Sequence, residues 1–244
     1  VRLSSFGVDK YEVSVSQYAR FLTARNRTEA NVGRWLRRDE STDRWLAPIV
    51  YDDVDEIWRP EPGQESIPMT GVTWEGAQVY ARWVGGELPT EAQWEVAARG
   101  GESSIDYPWA DPAVAPFEVA NIFDTGLGRA IGVAELPGGQ SPFGVFHMSG
   151  NVEEWVRDVF DLSHYIRLAE QSEIAEDPFV AVLPTGETGR RVVRGGSYQT
   201  LGASPDDPVD QAAGDARVWA RYARPATSAA AERGFRCVVP ALPR

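Results

Sequence analysis

The chain has 244 residues, of which 43% are hydrophobic and 25% charged, a balance typical of a globular protein. Its net charge of −12 and the lack of a Lys/Arg cluster argue against nucleic acid or an anionic membrane surface as a partner. The single cysteine, Cys237, excludes an intramolecular disulfide, and no hydrophobic run reaches the roughly 20 residues of a membrane span, so no membrane insertion is expected.

Three amphipathic helices are predicted in the N-terminal part of the chain. The first begins at an S-x-x-Q capping box on Ser14, followed by aromatic and apolar residues at helical spacing. The second begins near Thr73 and ends at Gly85–Gly86. The third begins at Thr90, which has a glutamine three residues later, and ends at Gly100–Gly101.

The rest of the chain predicts short strands among irregular segments rich in Gly, Pro, Asp and Asn. Strands are expected at 191–194 and 235–239, a helical stretch at about 160–174, and a long polar loop at about 201–216. The predicted architecture is therefore α+β, with much irregular backbone.

Four segments, taken together, carry a resemblance to a known family. They are FGVDKYEVSVSQYARFL at 6–22, GVTWEGAQVYARWVGGELPTEAQWEVAARGG at 71–101, FGVFHMSGNVEEWVRD at 143–158, and RVVRGGSY at 191–198 with GFRC at 234–237. In this order they resemble the formylglycine-generating enzyme, or sulfatase-modifying factor, family. The resemblance implies a C-type-lectin-like fold with a small twisted antiparallel sheet, few helices and long ordered loops.

The resemblance extends over nearly the whole chain, so residues 1–244 are expected to form a single domain. Family members begin with a short strand before the position of Val1. We therefore expect this chain to be a fragment that lacks the first strand.

Enzymes of the family oxidise a substrate cysteine to formylglycine with oxygen and a copper ion held by two cysteine thiolates, soft ligands that suit Cu(I). The resemblance places these cysteines near Thr200 and Pro205, and neither residue offers a thiolate. Cys237 lies in the GFRC segment, where a small core residue is expected. The sequence therefore predicts that copper is not a cofactor and that formylglycine is not formed.

Other redox or hydrolytic centres are disfavoured as well. Non-haem iron needs a cluster of histidines and carboxylates, and the two histidines, His147 and His164, are far apart in the sequence. Ser–His–Asp hydrolysis is not indicated because no G-x-S-x-G element is present. The adjacent Glu153 and Glu154 are expected to point apart and not to work as an acid–base pair.

Structural calcium is implied by the resemblance at two places, and Ca²⁺ prefers six to eight oxygen ligands. One set comprises the carbonyls of Gly150 and Val152 with the Glu154 carboxylate. It is completed by residue 147, where a histidine is a poor calcium ligand. The second set comprises Asn121, the Ile122 carbonyl and Asp124, whose alternative role is a local Asx turn.

A ligand groove is implied beside the GGSY segment, where the family's enzymes receive an extended peptide. The expected wall residues are Ser197, Tyr198, Gln199, Thr200, Trp219, Arg221, Tyr222 and Arg224. Aromatic residues and arginine dominate the binding energy of many interfaces. The alternative is a solvated acidic loop over a packed core, with Arg221 held in an ion pair.

Three functions follow from these features. The favoured one is a non-catalytic, regulatory or ligand-binding module, whose partner is a protein or peptide or another domain of a longer parent chain. The second is an enzyme of different chemistry in peptide maturation, with Tyr198, Glu154 and Arg221 as candidate residues. The third is a hypervariable ligand-display protein, although the segment between GGS and GFR is rich in Ala, Asp and Pro, which fits that class poorly.

Overall fold

The computed structural model describes residues 1–102, 104–109, 111, 113–183, 189–200 and 216–241. Five helices and eight strands occur in this part of the chain. They are β1 (Phe6–Val8), α1 (Val15–Ala24), β2 (Ile49–Asp52), β3 (Ile57–Pro60), α2 (Trp74–Trp83), α3 (Glu91–Arg99), α4 (Pro116–Val119), β4 (Glu153–Val159), α5 (His164–Ala169), β5 (Arg190–Arg194), β6 (Tyr222–Pro225), β7 (Arg233–Gly234) and β8 (Val238–Pro240). The predicted α+β class with few helices and small sheets is confirmed.

The three predicted N-terminal helices are present, with the predicted caps. The Ser14 hydroxyl accepts a hydrogen bond from the Gln17 N–H, and the Gln17 side chain accepts one from Ser14 N–H, which completes the capping box of α1. Thr90 and Gln93 repeat this arrangement on α3, and Thr73 caps α2. α3 ends at Gly100, whose φ of 66° lies in the left-handed region that favours glycine.

The largest sheet among the described strands has the order β6-β5-β4-β7. β4 pairs antiparallel with β5 and β5 antiparallel with β6, as expected of a small antiparallel sheet, and the two-residue β7 pairs with β4 in parallel. β1 pairs with β8 near the two ends of the chain, and β2 with β3 in a hairpin that the sequence did not predict.

Other predicted boundaries also change. The helical stretch expected at 160–174 is limited to α5. The strand expected at 235–239 is limited to β8, because residues 235–237 are not part of a strand. Of the polar loop expected at 201–216, residues 201–215 lie outside the described residues. None of the helices that the structure describes is both long and apolar enough to traverse a bilayer.

Aromatic rings fill the core between α1, α2 and the sheet. Tyr18 stacks on Tyr80 with ring centroids 5.4 Å apart, and Phe235 meets both rings edge-on. The buried indole of Trp155 also donates a hydrogen bond to the Val72 carbonyl at 2.9 Å. Tryptophan therefore fills irregular gaps and satisfies backbone carbonyls that no sheet or helix would pair.

Asn151 connects several of the long loops, which explains the GNVEEW segment. Its φ of 62° lies in the left-handed region, where asparagine is tolerated. Its N–H donates to the Asn121 carbonyl at 2.7 Å, and its Oδ1 accepts from the Ile131 N–H at 2.9 Å. Its Nδ2 donates to Glu12 Oε1 at 2.9 Å. One residue thus joins three distant segments.

Candidate ligand cleft

The residues expected to form one groove are divided between two places. Ser197 and Tyr198 follow β5 and are buried, and Tyr198 N–H donates to the Asn151 carbonyl at 3.0 Å. The Thr200 carbonyl accepts from the Phe123 N–H at 2.9 Å. This half therefore rests on neighbouring loops. Tyr222 lies on β6, where it packs against the main core.

The other half belongs to a cleft of about 550 Å³ beside α3. Trp219 and Arg221, both predicted groove residues, form one wall. The remaining lining residues are Val1, Ala92, Glu95, Val96, Arg99, Gly101, Glu102 and Tyr165. Its size is in the range of small-molecule or peptide side-chain sites.

The contribution of α3 was missed by the sequence analysis. Its lining residues Ala92, Glu95, Val96 and Arg99 follow a spacing of three and four residues, which places them on one face of the helix. The core residue Trp94 belongs to another face of the helix. This second, half-apolar face is the signal that could have identified the cleft wall.

The lining residues Arg221 and Glu95 belong to an ion-pair network that includes the buried Glu91. Arg221 binds this carboxylate with two hydrogen bonds, Nε to Oε1 at 2.5 Å and Nη2 to Oε2 at 2.8 Å. The buried Arg194 donates from Nη1 to Glu91 Oε1 at 2.6 Å and from Nη2 to Glu95 Oε2 at 2.7 Å. Burial raises the pKa of Glu91, but the two arginines outweigh it and hold that pKa below its usual value.

Aromatic side chains surround the arginine. The Arg221 guanidinium lies 5.0 Å from the ring centroid of Tyr165 and 5.2 Å from that of Phe160. Trp219 is fixed by a hydrogen bond from its Nε1 to Asp106 Oδ1 at 2.8 Å. The cleft therefore has a preorganised wall whose polar atoms are held by the protein itself.

The expected alternative role of Arg221 as an ion-paired residue is present in the structure. The other two residues proposed for a different enzymatic chemistry have separate partners. Glu154 binds Arg236 and Trp94, and Tyr198 Oη accepts a weak hydrogen bond from Gln199 at 3.4 Å. These three side chains do not share a hydrogen-bond network among the described contacts.

Cys237 is buried beside β8, and burial raises the pKa of its thiol well above the usual value. Its N–H donates to Asp9 Oδ2 at 3.2 Å. Of the two positions at which the resemblance places copper ligands, Thr200 lies in the turn after Ser197 and Pro205 is outside the described residues.

The histidines are also separate. His147 is buried, and burial lowers its pKa to about 4. His164 begins α5, and burial lowers its pKa as well. Within the part of the chain that the structure describes, no three or more His, Cys, Asp or Glu residues are grouped so that they could hold a metal ion.

The first calcium set does not fit a cation. Glu154 is fully buried, and its oxygens accept from Arg236 Nη2 at 2.6 Å, Arg236 Nε at 2.8 Å and Trp94 Nε1 at 2.9 Å. The guanidinium therefore already neutralises this carboxylate. The backbone of Gly150 and Val152 lies in the buried turn that leads into β4. The neighbouring Glu153 pairs instead with Arg224 and Arg233, so the two carboxylates have different partners.

The second calcium set has one feature that suits a cation. Asn121 is buried, and its Nδ2 donates to the Arg129 carbonyl at 2.9 Å and to Asn151 Oδ1 at 3.1 Å. Its Oδ1 is buried and has no hydrogen-bond partner among the described residues. The Ile122 carbonyl accepts from Thr125 N–H, and Asp124 is exposed. A buried acceptor without a donor is an oxygen ligand that a cation could use.

The comparisons with known proteins agree with this fold. The family model described as "Sulfatase-modifying factor enzyme 1-like domain" matches residues 1–241, so the chain belongs to this family. The chain is 31% identical over 274 residues to a formylglycine-generating enzyme of Thermomonospora curvata, covering 99% of the chain and 84% of that enzyme.

A second kind of relative is a multidomain kinase. The chain is 32% identical over 203 residues to the serine/threonine-protein kinase pkn1 of Chlamydia pneumoniae, and the match covers 82% of the chain but 29% of the kinase. Domains of this family therefore occur within longer proteins.

Two solved structures share the fold. PvdO from Pseudomonas aeruginosa has a TM-score of 0.64 at 21% identity over 97% of this chain and 80% of that one. Variable protein 1 of Treponema denticola has a TM-score of 0.63 at 16% identity over 99% of this chain and 86% of that one.

Proposed function

We propose that this chain is a non-catalytic module that binds a protein or peptide, and that the cleft beside α3 is its binding site. The observation that carries the proposal is the wall formed by Trp219 and Arg221 opposite the second face of α3. Tryptophan, tyrosine and arginine in a preformed cleft are the residues that most often dominate binding energy.

The charges of the cleft support binding more than catalysis. Arg221 and Arg194 share Glu91, and Arg99 binds Glu95 through Nε at 2.9 Å. A general acid or base needs a pKa near the working pH, whereas the pKa of Glu91 is lowered. These ion pairs instead fix the positions of the groups that contact a partner.

The partner is either a separate protein or another domain of a longer parent chain. The match that covers 29% of a serine/threonine-protein kinase supports the second arrangement. The net charge of −12 makes a neutral or basic peptide segment the better electrostatic match.

Two-thiolate copper chemistry is not part of the proposal, because the chain has one cysteine and it is buried. We propose a structural calcium ion at Asn121, Ile122 and Asp124, supported by the unpaired Asn121 Oδ1. The ion would fix the loop that carries these residues and would supply no redox step.

The binding proposal can be tested with a random dodecapeptide display library selected on the purified domain. Selected peptides are measured by fluorescence anisotropy. Trp219→Ala should weaken binding about tenfold or more, since it removes an aromatic anchor from the cleft wall. The control is Trp83→Ala, a half-exposed tryptophan that does not line this cleft.

Two results would overturn the proposal. One is a set of selected peptides whose affinities Trp219→Ala leaves unchanged. The other is conversion of a cysteine peptide to its aldehyde when the domain is supplied with Cu(I) and oxygen, detected by mass spectrometry, which would establish a catalytic role.

A further inference from the structure

A second cleft, of about 420 Å³, lies at the start of α1 and contains none of the residues of the α3 cleft. It is formed by the segment that leads into α1, the first turns of that helix, and two loops. Its lining residues are Asp9, Lys10, Tyr11, Glu12, Ser14, Ser16, Gln17, Arg20, Glu65, Ser66 and Val133. The proposed binding function makes no use of this cleft.

The innermost charged group of this cleft is Glu12, which is 1% exposed. Its Oε1 accepts from Asn151 Nδ2 at 2.9 Å, but its Oε2 has no partner among the residues described. Burial raises the pKa of Glu12 to about 8, with Arg236 lowering it and Glu154 raising it. At neutral pH the carboxyl group is therefore mainly protonated, and its O–H is a buried donor without an acceptor.

Two cations also line this cleft. Lys10, the only lysine in the chain, and Arg20 are exposed, and neither forms an ion pair within the described ranges. The Lys10 ammonium lies 5.6 and 5.3 Å from the ring centroids of Tyr11 and Phe146, which holds it near the cleft.

The neutral polar groups of the cleft can donate hydrogen bonds as well. Gln17 uses its Oε1 to cap α1, so its amide N–H groups are left for the cleft. Ser16 and Ser66 add hydroxyl groups. The opposing carboxylates are partly engaged, because Asp9 Oδ2 accepts from Cys237 N–H and Glu65 Oε1 from Gly63 N–H.

We propose that this cleft binds an oxyanion, a carboxylate or phosphate group of a small molecule, between Lys10 and Arg20 and above Glu12. Among the described residues, neither cation has a counter-ion and Glu12 Oε2 has no partner. An oxyanion supplies the counter-charge to the two cations and the acceptor to Glu12, through charge-assisted hydrogen bonds. The cleft also contains Asp9 and Glu65, so an anion is favoured at the two cations themselves and not by the net charge of the cleft.

The test uses the intact ¹⁵N-labelled chain titrated with inorganic phosphate and, separately, with succinate, at constant ionic strength held with chloride. We expect saturable amide shifts at residues 9–17 below about 10 mM of at least one anion. The anion that saturates identifies the ligand as a phosphate or a carboxylate.

Lys10→Gln and Arg20→Gln should each raise the dissociation constant about tenfold, the value of one charge-assisted hydrogen bond. Both side chains are exposed, so folding should be retained and is checked by the dispersion of the amide spectrum. The control is Arg25→Gln, an exposed arginine at the other end of α1.

The proposal is overturned if neither anion gives saturable shifts at residues 9–17. It is equally overturned if the shifts persist in both Lys10→Gln and Arg20→Gln, or if Arg25→Gln weakens binding as much as they do.

Discussion

Buried charges in this chain differ in how they are satisfied. Glu154 and Arg236 are both fully buried and joined by two hydrogen bonds, so each offsets the desolvation of the other. Glu12 has one amide donor, from Asn151, and an unpaired oxygen. A carboxylate in that environment is more stable in its protonated form. This difference makes Glu12 one of the residues that link folding to pH.

We predict that Glu12 makes the fold less stable as pH rises. Burial raises its folded pKa from 4.5 to about 8, so the folded chain binds more protons than the unfolded chain between these values. The contribution of Glu12 is fully present below about pH 4.5 and is lost by about pH 8, a change on the order of 3–5 kcal/mol. Urea unfolding at pH 5, 6.5 and 8 measures this loss.

Glu12→Gln is the matched variant, because its amide is neutral at every pH used. It should be close to the native chain at pH 5 and more stable at pH 8. Glu65→Gln, which replaces an exposed carboxylate on the same cleft, should change the dependence of stability on pH little. Parallel pH profiles for the native chain and Glu12→Gln would show that another group controls the dependence.

Residue roles were predictable where the partner is near in sequence. The capping boxes at Ser14 and Thr90 involve residues three positions apart, and both are present. The expected ion pair of Arg221 is present too, but its partner Glu91 lies 130 residues away. Such a partner is chosen by tertiary packing, and the spacing of one sequence carries no signal for it.

Helices and strands were likewise predictable where the sequence signal is local. α1, α2 and α3 have local caps and helical periodicity, so their positions were predicted. β4 was not identified as a strand, because it is buried along nearly its whole length and carries ion-paired glutamates where an apolar residue would be expected. The α3 cleft was only half predicted, because one wall was identified by resemblance and the other is a face of α3 that the sequence did not single out.

The packing of α2 depends on Gly76. Replacing Gly76 with alanine has two opposing effects on the stability of the fold. Alanine in a helix is more favourable than glycine by about 1 kcal/mol. A Cβ at Gly76 would lie 2.7 Å from the Trp35 carbonyl oxygen and 2.9 Å from Tyr18 Oη. Overpacking of this kind costs about 1–3 kcal/mol, and a backbone carbonyl cannot rotate away as a side chain can.

We therefore predict that Gly76→Ala destabilises the fold by up to about 2 kcal/mol, the overpacking cost less the gain in helix propensity, measured as a lower urea midpoint with an unchanged slope. Gly33→Ala is the control, because a Cβ there has no atom within 4 Å. It should stay within about 0.5 kcal/mol of the native chain. Gly76→Ala as stable as Gly33→Ala would mean that α2 can shift away from Trp35 without loss.

At the scale of the whole molecule, long loops are held together by a few polar side chains. Asn151 joins the segments at Glu12, Asn121 and Ile131, and Arg236 joins β4 to the carbonyls of Asp9 and Phe146. Small sheets alone would leave these loops without fixed positions. A ligand of the loop at Asn121 should therefore stabilise the whole fold and not only its own turn.

We expect calcium to stabilise the whole fold by binding the loop at Asn121. A cation that binds only the folded chain at about 100 times its dissociation constant adds about 2.7 kcal/mol. For a domain of this size that corresponds to a rise in the melting temperature of about 5–10 °C.

Calorimetry with calcium and with EDTA measures the shift in melting temperature. Asp124→Asn should abolish most of this shift, because the exposed carboxylate is the only charged member of the set. Magnesium should act weakly, since it needs a regular octahedral shell that a flexible loop does not supply. An equal shift in Asp124→Asn, or none in the native chain, would instead assign a water molecule to the unpaired Asn121 Oδ1.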